Sequence, residues 1–213
     1  MGDSTWRAQQ VQTSQRGVFV PQELTQFRDI LDGTSNTIAL AEIATDLGDR
    51  AIKTLAANNP GGGGDILIPN SPQNCGSLID PERPQFWLGT LNQNAGNGNL
   101  LPANTGRGFR WAYGAPLYTS AFMITPPNAA LCNRRADDWG SGNYSASGRH
   151  PGGVHVVMAD ASVQFISESI DVGDQLAPQV TPDNNNAGFA SPYGVWGALG
   201  TRAAKDIIES DAF

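Results

Sequence analysis

Residues 147–170 read SGRHPGGVHVVMADASVQFISESI, and the fold turns on how this stretch pairs with itself. Val154, Val156 and Met158 alternate with His155, Val157 and Ala159; beyond Asp160-Ala161, Val163 and Phe165 alternate with Gln164 and Ile166. Period-two alternation on both sides of a short break predicts a β-hairpin. With Asp160-Ala161 as a two-residue turn, Met158 is expected opposite Val163 and Val156 opposite Phe165, an apolar face that something must cover. Ala161 is the weak point, because a primed turn needs positive φ at both central residues, at a cost of roughly 1 kcal/mol for a residue with a Cβ.

Working outward, the composition favours turns and irregular segments. The chain has 213 residues, of which 25 are Gly and 14 are Pro, with charged residues at 15% and apolar ones at 39%. That points to a loop-rich, mainly β or α+β protein, expected to form one domain over residues 1–213. The net charge is −7 and only Lys53 and Lys205 are lysines, with the arginines scattered. Nucleic acid is not expected as a partner, since phosphate binding needs a concentrated basic face; an anionic membrane surface is disfavoured likewise.

No apolar run is long enough to span a bilayer, and the opening MGDSTWRAQQ has no secretory leader pattern. Read literally, that describes a soluble cytosolic protein; the same opening suits a truncated chain whose anchor was removed. Cys75 and Cys132 are the only cysteines. Either they pair, closing a loop worth about 4 kcal/mol in the chain-entropy model, or they are two separate buried thiols.

Along the chain, Val18-Phe19-Val20 reads as a strand stopped by Pro21. Asp32-Gly33 is a turn, and Thr34 or Ser35 can cap a short helical turn. A strand over 37–44 competes with a helix over 35–47, and the alternation of Ile38 and Leu40 with Ala39 and Ala41 favours the strand. Residues 58–64 (NNPGGGG) are a loop; no Gly-Lys-Ser/Thr follows to make a phosphate cradle. A short helix is expected near 73–79, strands over 107–113 and 117–124, a long polar loop over 133–149, and a closing helix carrying Trp196 and Leu199 inward.

The chemistry-bearing residues are few. With two histidines, no CxxC and no HExxH, a zinc site has little support. His155, between valines in mid-strand, reads as a sheet residue rather than a ligand. His150, before Pro151-Gly152-Gly153, reads as a structural hydrogen-bonding group for a loop carbonyl or carboxylate. Asp160 belongs to the turn. Weak calcium candidates are Asp137, Asp138, Asp171 and Asp174, without an EF-hand loop. No G-x-S-x-G elbow is present, and no enzyme activity is expected. Trp87, Trp111, Trp139 and Trp196 read as core and loop anchors, with sugar stacking as their alternative use.

Five ordered segments together carry a resemblance: DGTSNTI at 32–38 followed by Glu42, RGFRWAYG at 107–114, PPNAALC at 126–132, nine residues between His150 and Asp160, and YGVWGALGTRAAKDII at 193–208. They resemble the planctomycete-type prepilin-like family, catalogued as a domain of unknown function and loosely labelled solute-binding. The family's motif residues fall here on Asp32, Gly33, Asn36, Glu42, His150 and Asp160; its usual Asp-Gly ending is Asp160-Ala161 in this chain. The resemblance implies a pilin-like antiparallel sheet, related to type IV pilins and type II secretion pseudopilins, with long loops and an N-terminal helix that this chain does not contain. It further implies export, a Cys75–Cys132 bridge, and no catalytic residues.

The expected role is therefore structural: the head of an exported pilin-like envelope protein, anchored through that N-terminal helix and partnered by its own copies or other pilin-like subunits. No cofactor is required, calcium being possible, and no membrane contact is expected from these residues. The competing reading is an extracellular carbohydrate or small-solute binding module, with calcium as a candidate stabilising ion.

Overall fold

A computed structural model describes residues 2, 15–21, 23–61, 74–135, 137, 138, 142–179, 188–206 and 208. In chain order the elements are β1 (Ile38–Ala41), β2 (Ala57–Asn58), α1 (Pro116–Thr119), β3 (Cys132–Asn133), β4 (Gly142–Asn143), β5 (Gly153–Met158), β6 (Val163–Ser167) and α2 (Gly194–Leu199), with short 3-10 turns at Phe27–Asp29, Thr34–Asn36, Cys75–Leu78 and Ala103–Thr105. The architecture is α+β and mainly β, as the composition implies.

Two three-stranded sheets organise the described residues. One has the order β1-β5-β6 and is antiparallel throughout; the other has the order β2-β3-β4, with β2 parallel to β3 and β3 antiparallel to β4. The inner face of the first sheet presents Ile38, Val154, Val156, Met158 and Ile166, all at most 1% exposed. These pack on Met123, Trp196 and Leu199, so α2 closes the core from below, with Trp196 Nε1–H donating to Thr125 O at 3.0 Å. A full side-chain burial of this kind contributes about 1.5–3 kcal/mol apiece.

The hairpin forms, and its register differs from the two-residue expectation. Val157 faces Val163, Val156 faces Gln164, His155 faces Phe165 and Val154 faces Ile166. Ala161 N–H donates to Met158 O at 3.0 Å, Met158 N–H donates to Ser162 O at 2.9 Å, and Ala161 sits at φ 70. The loop is thus three residues long, a tight turn followed by one left-handed residue. Positive φ is needed once and falls on Ala161. Because side chains alternate with period two, one extra loop residue turns the whole of β6 over. Ile166 goes to the core, while Val163 and Phe165 emerge on the opposite face, 64% and 47% exposed.

Other expectations are corrected or refined. The strand in the 37–44 region is real and the helix over 35–47 does not form, but pairing ends at Ala41. From there the chain leaves β5: Glu42 N–H still donates to His155 O, whereas Ser147 N–H donates to Glu42 O and Ala44 N–H to Ser147 Oγ. Residues 107–113 are successive turns, not a strand. The cause is Arg107, fully buried, whose Nε–H and Nη1–H donate to Leu117 O at 2.9 Å and Ser145 O at 2.6 Å while Nη2–H donates to Ser120 O. A guanidinium bound by converging carbonyls draws the loops around itself. Burial pulls its pKa down to about 10, against a raising influence of Tyr144.

The expected strand over 117–124 is instead α1 followed by an isolated parallel bridge between Phe122 and Gly2. Pro116 at the first helical position starts the turn, having no N–H to lose. Val18–Val20 also forms no strand, although Val18 and Val20 are buried. The helical turn near 73–79 appears as Cys75–Leu78, and the closing helix as α2 with Trp196 and Leu199 buried. Residues 62–64 of the 58–64 loop, residues 136 and 139–141 of the 133–149 loop, and the Asn-rich stretch 184–186 lie outside the described residues; within the expected 133–149 loop, Asn133 and Gly142–Asn143 pair as β3 and β4 instead.

Cys75 and Cys132 are bonded, with Cα atoms 5.5 Å apart, tying the 3-10 turn at Cys75–Leu78 to β3. The bridge spans 57 residues, a closure worth about 4 kcal/mol as an upper figure. It packs against Leu55, Trp87 and Leu100. A disulfide of this kind belongs to an oxidising, non-cytoplasmic environment.

Candidate functional site

The outer face that the register creates holds the chain's chemistry. His155, in mid-β5, points outward, and Phe165 stands directly across from it on β6 with ring centroids 5.2 Å apart. His150, in the turn that enters β5, brings its ring edge-on to His155, centroids 4.5 Å apart and planes at 85°. Glu42 follows the last residue of β1, the neighbouring strand. Its Oε1 lies 3.0 Å from His150 Nε2 and 3.4 Å from His155 Nδ1. Its Oε2 accepts the backbone N–H of His155 at 2.8 Å. Both histidines of the chain therefore face a single carboxylate oxygen.

Local backbone makes this convergence possible. Gly152, at φ 77, turns the chain into β5. Gly148 passes so close that a Cβ there would stand 2.9 Å from Glu42 Oε2 and 3.2 Å from Gly153 O. Lys53 Nζ–H donates to Gly148 O at 2.7 Å, and Asn128 Oδ1 accepts Gly148 N–H at 2.9 Å, which fixes that segment. The Glu42, His150 and His155 side chains are 35%, 47% and 40% exposed, so the cluster is open to solvent on one side. Beside it, His150 helps to line a groove of about 490 Å³ that also presents Lys53, Phe86, Arg149 and Glu168.

Electrostatics favour an ionised carboxylate. Partial burial works against it, but the His155 N–H bond, the His150 hydrogen bond and the charge of both rings outweigh that and hold Glu42 below its ordinary value. Chemically the arrangement offers two imidazole nitrogens and one carboxylate oxygen within 4.8 Å of one another. Among the described residues, this is the one group of three or more such ligand atoms.

The other motif residues serve structure. Asp32 Oδ1 accepts Lys205 N–H at 2.7 Å, and Oδ2 accepts Ala204 N–H at 2.9 Å and Thr201 Oγ1–H at 3.1 Å, pinning the segment after α2. Gly33, at φ 94, makes the turn, and Asn36 Nδ2–H donates to Asp32 O. Asp160 sits in the hairpin loop at the far end of β5 from His150, accepting Ser162 N–H at 2.9 Å and Ser162 Oγ–H at 2.7 Å. His150 and Asp160 therefore do not meet, and it is Glu42 that His150 engages.

Among the described residues, Asp137, Asp138, Asp171 and Asp174 belong to no group of three or more ligand atoms. Asp138 Oδ2 accepts Arg110 Nη1–H at 2.6 Å and Tyr118 Oη–H at 3.0 Å. The Asp171 carboxylate accepts Gly173 and Val195 N–H groups, and Asp174 Oδ1 accepts Leu176 N–H. Among the tryptophans, Trp87 and Trp196 are buried anchors and Trp111 is exposed. Sequence reasoning missed His155 and Phe165 as members of the site. The available signal was the scarcity of histidine: two in the chain, five residues apart, one just before a strand and one inside it.

A model of the family described as "Protein of unknown function (DUF1559)" matches residues 1–173. No curated protein and no solved structure matches the chain. The chain belongs to the DUF1559 family.

Proposed function

We propose that this member of a family without an assigned activity is the head of an exported, pilin-like or pseudopilin-like envelope protein that acts through assembly. The observation that carries the reading is the outer face of the β1-β5-β6 sheet. Leu40, Val157 and Val163 form a row across the three strands, and Phe165 continues it; Leu40 is 53% exposed and Val163 64%. Isolated exposed apolar residues are ordinary, whereas a contiguous row of them on one solvent-exposed sheet face supports a role in docking. The occupant is another copy of this chain, in which the same row recurs. The disulfide supports export, and the five ordered segments support the pilin-like relationship.

The experiment is to recover the protein from its native cells, determine its compartment and mature N-terminus, and measure its association state. An envelope fraction, a processed prepilin leader, and self-association that Val163→Lys weakens support the reading. A reduced cytosolic chain starting at Met1, or a monomer at all concentrations, overturns it.

The groove beside His150, with Lys53, Arg149 and Glu168 around Phe86, favours a second reading, an extracellular module for a small polar solute or glycan. A thermal-shift screen with calcium, EDTA and glycans separates the two; absence of any shift removes the binding module.

A further inference from the structure

We propose that Glu42, His150 and His155 form a binding site for a divalent transition-metal ion of the zinc class. The ligands are Glu42 Oε1, His150 Nε2 and His155 Nδ1, and one coordination position is left to solvent. This inference stands apart from the assembly reading: none of its three ligands belongs to the apolar row, and Phe165 alone is shared between the two.

Distance is the first argument. A tetrahedral ion with bonds of about 2.0–2.1 Å holds its donors roughly 3.4 Å apart. The carboxylate oxygen already stands 3.0 Å from one nitrogen and 3.4 Å from the other. All three ligand atoms lie within 4.8 Å of one another on side chains that are all partly exposed, so small side-chain movements bring them onto an ion.

Preorganisation is the second. Glu42 Oε2 is held by His155 N–H at 2.8 Å, which aims Oε1 at the two rings. Bonds of this outer kind orient metal-ligating carboxylates. Phe165 packs edgewise against both imidazoles, 5.2 Å from His155 and 6.4 Å from His150. The rings are therefore limited in the directions they take. Gly148 keeps the space behind the carboxylate free of a side chain.

Donor chemistry sets the class of ion. Two imidazoles and one carboxylate suit zinc, nickel or copper; calcium and magnesium ask for six or more oxygens, which this cluster lacks. Three protein donors with an open fourth position match sites where the ion keeps a water or takes a ligand group. The two donors furthest apart in sequence, Glu42 and His155, lie 113 residues apart, so binding would clamp β1 to the entrance of β5.

The test is titration of EDTA-treated, disulfide-intact protein with Zn2+ alone, followed by isothermal calorimetry, for the wild type and for His150→Ala, His155→Ala and Glu42→Gln. Circular dichroism without metal checks that each variant is folded. The expected result is one saturable site, undisturbed by excess Ca2+ or Mg2+, that each variant weakens by at least about 10-fold. Long-range proton–nitrogen spectra of the wild type supply a readout that needs no variant: Zn2+ should shift His150 Nε2 and His155 Nδ1 while their opposite nitrogens keep their protons. Absence of a saturable site, binding that survives both histidine substitutions, or unmoved ring nitrogens overturns the proposal.

Discussion

Phe165 stands directly opposite His155 in the β5–β6 ladder, with its ring 5.2 Å from the imidazole. That one pairing separates the core face of the hairpin from its chemical face. With one loop residue fewer, Phe165 would lie inside with Met158, and His155 would lose the aromatic wall that limits its ring.

The three-residue loop depends on Ala161 at φ 70. A left-handed residue with a Cβ is strained by roughly 1–2 kcal/mol, and glycine removes the strain. Ala161→Gly should therefore raise stability by about 1 kcal/mol, and Ala161→Val should lower it by at least as much. Urea unfolding midpoints check both; a Gly variant no more stable than the wild type contradicts the loop geometry.

Arg107 is fully buried among the carbonyls of Leu117, Ser120 and Ser145. Replacement by Met strips the donor from all of them at once, and buried unsatisfied carbonyls are costly. Arg107→Met should destabilise by about 3–5 kcal/mol, and Arg107→Lys should recover only part of that because an ammonium lacks the planar fork. Equilibrium denaturation is the measurement.

Gly148 has no room for a methyl group beside Glu42 Oε2 and Gly153 O. Gly148→Ala should cost about 1–3 kcal/mol through overpacking and should displace the Glu42 carboxylate from the histidines. Gly114→Ala, where a Cβ would meet nothing within 4 Å, is the control and should be nearly neutral. Denaturation and histidine ring spectra of the two variants make the comparison.

Asp160 titrates below its ordinary 3.8 because Ser162 donates to it from the backbone N–H and then from the hydroxyl, with burial acting weakly the other way. A lowered native value means that the unfolded chain binds the proton more tightly, so the contribution to stability is present in full above 3.8 and disappears as pH falls through the native value. A carbon NMR titration should place the Asp160 midpoint below 3.8, and Ser162→Ala should move it upward. An unchanged midpoint would show that Ser162 is not the cause.

The segments whose local chemistry was strong were legible in the residues. The alternation of Val154, Val156 and Met158 marks a strand with a buried face, and Trp196 and Leu199 mark a buried helical turn. The segment 107–113 reads as a strand because Phe109 and Trp111 alternate, whereas the buried Arg107 guanidinium and its carbonyl partners dictate turns. No local pattern announces an arginine that will be buried. Glu42 carries no partner in the sequence reading, and His150 reads there as a hydrogen-bonding group for a loop carbonyl or carboxylate; the structure makes Glu42 that carboxylate.

By itself, the amino-acid sequence determined the two strands of the hairpin, the mainly β character and the pair of cysteines available for a bridge. Tertiary structure alone decided the register, the cysteine pairing and the meeting of Glu42 with His150 and His155. The physical reason is that alternation records which residues share a face of one strand. It carries no information about loop length, or about which residue a hundred positions away the sheet will bring alongside.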